Sequence, residues 1–157
     1  MPSRRKLISM SPEEIDRYLR TQKTIILVSN GGDGFPHPMP MWFHVTTSGV
    51  LQCATFAKSQ KVKNFERDPS ASLLVETGEI YSEAKGVLIY ARTEISNDPD
   101  LIMEALVSIN TRGEALPEAA EVALRDRLVK IAQKRVLLSF HPERYVSWDH
   151  AKLNGVY

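Results

Sequence analysis

Hydroxyl and cationic side chains concentrate in the segment 55–63, where a predicted strand runs into a predicted short helix. Ser59 suits the N-cap position of this helix, and Val62 and Phe65 give it one apolar face. Three lysines surround the same terminus: Lys58, Lys61 and Lys63. Because a helix N-terminus presents unpaired N–H groups and partial positive charge, this arrangement favours an anion. The segment therefore predicts a site for a phosphate ester; the alternative is a solvated basic helix without a ligand.

No second cluster of reactive side chains accompanies this segment. Cys53 is the only cysteine, so an internal disulfide is impossible, and its strand-like neighbours predict a small buried side chain rather than a reactive thiol. The histidines lack the spacing of metal ligands: His37, His44, His141 and His150. We therefore predict no metal site. We also assign no catalytic residue, because no side chains form a convincing nucleophile or acid–base pair.

The composition fits one domain with its own hydrophobic core. The chain has 157 residues, with 20 Lys and Arg against 19 Asp and Glu, for a net charge of +1. This near balance argues against a general nucleic-acid binder, which usually carries a clear basic excess. No apolar run reaches membrane-spanning length, and the basic start at 1–8 lacks the apolar core of a secretion signal. We expect a single cytoplasmic domain over residues 1–157, with neither nucleic acid nor membrane as a partner.

Helix and strand patterns follow one another in an order typical of a small barrel. The capping box Ser-Pro-Glu-Glu at 11–14 predicts a helix that runs to about residue 21. Strands are predicted at 24–29, 36–45, 50–56, 71–76, 87–95, 136–140 and 144–148. Two more helices are predicted at 98–113 and from Pro117 onward, with Leu101 and Ile131 among the core-facing residues. Short antiparallel strands with inserted helices favour a barrel over a parallel sheet.

The second predicted strand has an unusual composition. It carries three prolines at alternate positions: Pro36, Pro38 and Pro40. Because proline has no N–H to donate to a central ladder, this strand must lie at a sheet edge or at a barrel rim. Four large apolar side chains lie next to them: Met39, Met41, Trp42 and Phe43. A monomer would leave them exposed as a patch, so we expect two copies to pair about a two-fold axis and bury it.

Three segments together resemble a known family. They are Pro-Met-Trp-Phe at 40–43, Ser-Gln-Lys-Val-Lys-Asn at 59–64 and Ser-Trp-Asp-His-Ala-Lys-Leu at 147–153. In this order they resemble the pyridoxamine 5′-phosphate oxidase-like split barrels, which bind flavins or deazaflavins, and the likeness runs from residue 11 to residue 157. The ending at 147–153 is similar to a subgroup rich in deazaflavin-dependent reductases. The expected fold is mainly β with added helices (α+β), a six- to seven-stranded antiparallel split β-barrel.

The resemblance implies a homodimer that holds its cofactor in a groove between the subunits. It maps the phosphate-contacting lysine onto Lys61, with Ser59 and Lys58 beside it, and the hairpin along the isoalloxazine ring onto residues 39–42. Trp148 has two interpretations, a core residue or a cover over the partner subunit's cofactor, and both stay open. The cofactor-binding residues predicted in this way are Met39, Pro40, Met41, Trp42, Thr55, Lys58, Ser59, Gln60, Lys61 and Trp148.

The implied activity is hydride transfer between a bound cofactor and a small organic substrate. FMN is the expected cofactor, and the deazaflavin coenzyme F-420 is the alternative, because both carry a phosphate. True pyridoxamine phosphate oxidases are longer and end in a motif with arginine, histidine and Arg-Leu-x-Pro, whereas this chain ends in Leu-Asn-Gly-Val-Tyr. Pyridoxamine phosphate is therefore not the expected substrate. A different class of function also stays open: a non-catalytic protein that stores or senses flavin or haem.

Overall fold

A computed structural model describes residues 4–154, which form seven strands and five helices. The helices are α1 (Arg4–Ile8), α2 (Pro12–Thr21), α3 (Gln60–Arg67), α4 (Pro99–Thr111) and α5 (Glu118–Ala132). The strands are β1 (Thr24–Asn30), β2 (Pro36–Trp42), β3 (His44–Val45), β4 (Leu51–Phe56), β5 (Ser70–Thr77), β6 (Lys85–Ser96) and β7 (Arg135–Asp149). Short 3-10 helices lie at Tyr81–Glu83 and His150–Leu153. The predicted basic start and the chain's end fall partly outside this range, at 1–3 and 155–157.

All seven strands belong to one antiparallel sheet in the order β2-β1-β5-β6-β7-β4-β3. The sheet curls into a half-barrel, so the predicted class, mainly β with added helices, is confirmed. Within residues 4–154, none of the helices combines the length and the apolar character needed to cross a membrane.

The opening helix follows the local rules of its sequence. Ser11 Oγ accepts a hydrogen bond from the Glu14 N–H at 3.2 Å, and Glu14 Oε2 accepts one from the Ser11 N–H at 2.7 Å. With Pro12 at the first helical position, this is the predicted capping box. The buried face of α2 carries Ile15 and Leu19, which join the core inside the half-barrel. The predicted helix is confirmed.

The proline-rich strand β2 lies at an edge of the sheet, as predicted. The three prolines occupy alternate positions in the register with β1: Pro36, Pro38 and Pro40. In an antiparallel pair, alternate residues direct their backbone N–H groups away from the partner strand, so all three prolines can lie where no ladder hydrogen bond is lost. The prediction of one strand over 36–45 is wrong at its end. Phe43 turns into the core with 4 % of its surface exposed, and β3 then pairs with β4 at the opposite edge. Phe43 therefore does not belong to an exposed apolar patch.

The last two predicted strands form one strand of 15 residues, β7. Its register with β6 shifts between the pairs Tyr90–Arg144 and Ala91–Pro142, which leaves Glu143 as an extra residue. A bulge of this kind bends a strand without ending it, so His141 and Pro142 do not break the pairing. The bend lets β7 pair with β6 from Leu137 to Asp149 and with β4 along its first six residues.

Two apolar clusters lie on the two faces of the sheet. The first fills the half-barrel and includes Cys53, so its predicted burial is confirmed. Burial raises the pKa of the Cys53 thiol to about 12. The second packs α4 and α5 on the outer face around Leu137. Leu101 and Ile131 were predicted to face this core, but both are exposed.

Trp148 lies against the backbone of β6. It pairs across the ladder with Gly86, and a Cβ atom added to Gly86 would approach the indole atom Cζ2 to 2.3 Å. Gly86 is itself buried, so the indole occupies the space that a side chain would fill. The close approach therefore requires glycine at this position.

We expect Gly86→Ala to destabilise the protein by about 1–3 kcal/mol, because the added methyl group forces the indole out of its position. Urea unfolding measures the loss. In a Trp148→Ala background the same change should be neutral or slightly stabilising, because the clash is gone. An equal loss in both backgrounds would show that the indole does not cause it.

Candidate functional site

Lys61 lies near the centre of the candidate site, where β4 ends and α3 begins. The Lys61 Nζ atom donates a hydrogen bond to Thr55 Oγ1 at 3.1 Å, and the two residues are 7 % and 2 % exposed. The turn is held by the Ser59 N–H, which donates to the Phe56 carbonyl at 3.0 Å. Over residues 4–154, Lys61 has no carboxylate partner. The structure therefore buries an ammonium group without a counter-ion.

The electrostatics around Lys61 oppose its charge. Burial lowers the pKa of Lys61, and the positive charge of Arg135 acts in the same direction. A buried cation is normally paired, because an unpaired charge loses its hydration without compensation. An anion bound beside Lys61 would offset both effects, because it favours the charged form of the lysine. The site is thus suited to a negatively charged group.

Arg135, the first residue of β7, was missed by the sequence analysis. Its Nη1 atom donates to the Ala54 carbonyl at 3.1 Å, and its guanidinium carbon lies 4.5 Å from the centroid of the Phe56 ring. The Nε atom is buried and has no hydrogen-bond partner among the described residues. Burial lowers the pKa of Arg135. The cross-strand pairing of Phe56 with Arg135 brings this second cation to the site.

Ser59 is the N-cap residue of α3, as predicted, but its side chain makes no capping bond. The hydroxyl oxygen is buried, and no group of residues 4–154 bonds to it. Native proteins leave few buried polar atoms unsatisfied, so each such atom needs an explanation. A ligand bound at the first turn of α3 would supply the missing partner.

The neighbouring polar residues have different surroundings. Lys58 and Lys63 are exposed. The Gln60 amide nitrogen donates to Asn64 Oδ1 at 3.0 Å, and Asn64 donates in turn to Ser29 Oγ at 2.9 Å. Part of the hydrogen-bonding capacity of Gln60 therefore fixes α3 on β1. Its predicted role in cofactor binding stays a prediction.

The end of β2 forms one wall of a cleft of about 310 Å³. Pro40, Met41 and Trp42 line it together with Arg135 and Ala54, and Trp42 is 63 % exposed. The helical wall consists of Leu106, Ile109, Asn110, Leu128 and Ile131. Met39 lies one pair further along β2 and is half-buried. Arg135 therefore connects the apolar cleft to the buried lysine.

The structure does not bring Trp148 to the rest of the site within one chain. Thr55 pairs with Val136 near the start of β7, whereas Trp148 lies twelve residues further along the same strand. That length of strand spans up to about 40 Å. The other predicted residues gather at two adjoining places, the α3 turn and the cleft.

No metal-binding cluster is found where the structure is described: residues 4–154 contain no group of three or more His, Cys, Asp or Glu side chains placed to hold an ion. His141 lies 3.1 Å from Glu94 Oε2, and His150 Nδ1 lies 2.8 Å from the Tyr81 carbonyl. Both contacts link neighbouring parts of the fold.

The family profile described as pyridoxamine 5′-phosphate oxidase matches residues 11–149. The chain belongs to this family. No curated protein sequence matches it.

Several solved structures share the fold. The conserved hypothetical protein Rv2991 from Mycobacterium tuberculosis is 32% identical, with a TM-score of 0.84, and the match covers 96% of this chain and 91% of that one. A protein named F420 reductase is 22% identical over 86% of this chain and 98% of its own, with a TM-score of 0.63. A FAD-binding protein from Mesorhizobium loti is 18% identical over 88% and 94%, with a TM-score of 0.62. At these low identities, the last two structures show only that the fold is shared.

We expect Lys61→Met to stabilise the ligand-free protein at pH 7 by about 1 kcal/mol, because it removes an unpaired buried charge. Since the folded-state pKa of Lys61 is lowered, the charge opposes folding at pH values below that pKa. The gain should therefore shrink as the pH rises towards the ordinary pKa of lysine. Urea unfolding at pH 7 and pH 10 measures it.

Lys63→Met is the matched control, because Lys63 is an exposed lysine on the same helix. It should change the free energy of unfolding little at either pH. A Lys61→Met protein that is less stable than the parent at pH 7 would mean that the ammonium group supports the fold without any ligand.

Proposed function

We propose that this protein is an oxidoreductase that binds FMN through its phosphate group and transfers hydride to or from a small organic molecule. The observation that carries the proposal is the buried Lys61 ammonium group, which has Thr55 as a hydrogen-bond partner and no counter-ion among the described residues. An anionic ligand is the simplest partner for such a group, because it restores the lost charge compensation.

The residues around Lys61 fit a phosphate ester. Three buried side-chain polar atoms lack partners within residues 4–154, and two of them belong to this site, the Ser59 hydroxyl and the Arg135 Nε atom; the third is Thr93 Oγ1. A phosphate group offers several acceptor oxygens, and charge-assisted hydrogen bonds from lysine and arginine are the strong ones. The first turn of α3 adds backbone N–H groups at the same place. We assign the phosphate to Lys61, Thr55, Ser59 and Arg135.

The cleft beside β2 fits the flat ring of a flavin. Its walls are mainly apolar, and Pro40, Met41 and Trp42 line one side of it. The alternate prolines remove N–H donors from the edge of β2, which leaves carbonyl groups and the remaining amides to face a heteroaromatic ring. When bound, the flavin supplies hydride transfer, and the chain supplies binding and orientation. We assign no proton transfer to the described residues.

The deazaflavin coenzyme F420 is the alternative cofactor. It also carries a phosphate, and one relative of the same fold is named F420 reductase. Lys58 and Lys63 are exposed near the phosphate end and offer additional positive charge for a longer anionic tail. The relative named as FAD-binding supports a flavin instead. Pyridoxamine phosphate is not the proposed substrate, because the expected C-terminal motif is absent from the sequence.

We further propose that two copies of the chain complete the site. Trp42 and Phe56 are both more than half exposed beside the cleft, and β2 leaves a sheet edge uncovered. Large exposed apolar side chains at an edge favour pairing with a second copy. In this arrangement Trp148 serves the site of the partner subunit, because it lies far along β7 from the Lys61 of its own chain.

The proposed function is tested by titrating the purified protein with FMN and with F420. Bound FMN should give a yellow protein whose absorbance is lost on reduction and returns on reoxidation with a small organic acceptor. Preferential binding of F420 would transfer the assignment to the deazaflavin. A sharp Soret band would instead indicate haem, and no binding of either coenzyme would refute the proposal.

We expect Lys61→Ala to weaken cofactor binding about tenfold to a hundredfold, since a charge-assisted hydrogen bond is worth roughly 1.5–3 kcal/mol. Fluorescence or absorbance titration measures the dissociation constant. Lys63→Ala is the control for FMN, which lacks the longer anionic tail, and should bind it nearly as well as the parent. Equal affinity in the two variants would remove Lys61 from the phosphate site.

A mixed dimer tests the position of Trp148. Lys61→Ala and Trp148→Ala subunits should each bind cofactor weakly as homodimers. Their heterodimer should regain one tight site, because one Lys61 then faces one Trp148 across the subunit boundary. Analytical ultracentrifugation with absorbance detection gives both the mass and the bound cofactor. A tightly binding monomer, or a heterodimer without a restored site, would contradict the shared site.

A further inference from the structure

A second cleft lies where the end of α2, strand β3 and the end of α4 meet. It encloses about 450 Å³, which is within the usual range for ligand pockets. No Asp or Glu lines it. Its polar walls include Arg20, Arg112, His44, Thr46, Thr47 and Ser108. None of these residues belongs to the proposed cofactor site.

Arg112 has a backbone conformation that favours glycine. It ends α4 in the left-handed region, with φ 58° and ψ 30°, which costs an ordinary side chain roughly 1–2 kcal/mol. Its Nη1 atom is 3.5 Å from the Gln22 carbonyl, a long contact, and it forms no ion pair within residues 4–154. Most of its five N–H donors are therefore uncommitted. The chain keeps an arginine where glycine would be easier to accommodate.

Arg20 gives the cleft a fixed shape. Its Nε atom pairs with Asp16 Oδ2 at 2.9 Å, and its two Nη atoms donate to the carbonyls of Val45 and Thr46 at 3.0 Å each. These bonds hold β3 against α2. Because Asp16 balances Arg20, the uncompensated charge of the cleft is that of Arg112.

His44 lies in the wall of the same cleft. Its Nε2 atom is 2.9 Å from Gln52 Oε1, and Nδ1 has no partner in the described part of the chain. Burial lowers the pKa of His44 most strongly; the hydrogen bond with Gln52 opposes this effect, and the positive charge of Arg20 adds to it. An anion held in the cleft would oppose the effect of the arginine. His44 is thus a built-in probe for such a ligand.

We propose that this cleft binds a small organic anion through a carboxylate or phosphate group that pairs with Arg112. The guanidinium fork matches the oxygens of either group. Thr47 and Ser108 place hydroxyl groups at the same cleft, and Leu19 and Phe43 give the organic part an apolar wall. The site is independent of the cofactor site.

The test follows the His44 ring signals by NMR over a pH titration. Sulfate and malonate are the probes, and sodium chloride at matched ionic strength is the reference. A bound anion should raise the pKa of His44 by about half a unit or more, because it stabilises the protonated ring. The signals of His37, His141 and His150 serve as internal controls.

The Arg112→Gly variant tests anion binding without destabilising the fold, because glycine adopts the left-handed backbone conformation without strain. The variant should keep or raise the melting temperature and lose the anion effect on His44. Arg127→Ala, an exposed arginine of α5 outside the cleft, should keep the effect. A response to sulfate alone would assign a phosphate-type ligand, and a response to malonate alone a carboxylate. No shift beyond that of chloride, or a shift that persists in Arg112→Gly, would overturn the proposal.

Discussion

The pairing of β7 with both β4 and β6 is the interaction on which the rest of the structure depends. β7 contributes its first six residues to β4 and continues along β6 past a bulge at Glu143. This double pairing joins the two parts of the sheet, and it brings Arg135 next to Phe56 and the end of β4. It also carries Trp148 far away from the same place. The course of this one strand therefore decides that Arg135 lies at the candidate site of its own chain and that Trp148 does not.

Local features of the sequence could be predicted well because their causes lie within a few residues. The capping box at Ser11 depends on Glu14, and the edge position of β2 follows from three prolines. Arg135 could not be found in this way, since its neighbours belong to β4, about eighty residues earlier. The same reason explains β7: only the partner strand shows that Glu143 is a bulge and that His141 does not end the strand.

Buried polar groups without partners concentrate at the candidate site, although Thr93 Oγ1 is another such atom elsewhere in the described part of the chain. Lys61 is buried without a counter-ion, and the hydroxyl of Ser59 and the Nε atom of Arg135 are buried without hydrogen-bond partners among the described residues. By contrast, the exposed Arg125 is paired with two carboxylates, Glu104 and Glu121. Departures from local consistency of this kind concentrate at functional sites, where a ligand supplies what the fold leaves out. Sequence periodicity cannot reveal such unpaired groups, because a missing partner is recognised only when the surroundings of the side chain are known.

The long separation between β4 and β7 has a consequence for the order of folding. During synthesis, α2 and the antiparallel strands β1, β2 and β5 emerge early and can pair with near neighbours. β4 then has only the two residues of β3 beside it until residues 135–140 leave the ribosome. Contacts this distant in sequence form late, because closing a long loop costs entropy before any contact is gained. The nascent chain therefore carries an open edge along β4 until residues 135–140 have been made, and Arg135 reaches the end of β4 only then.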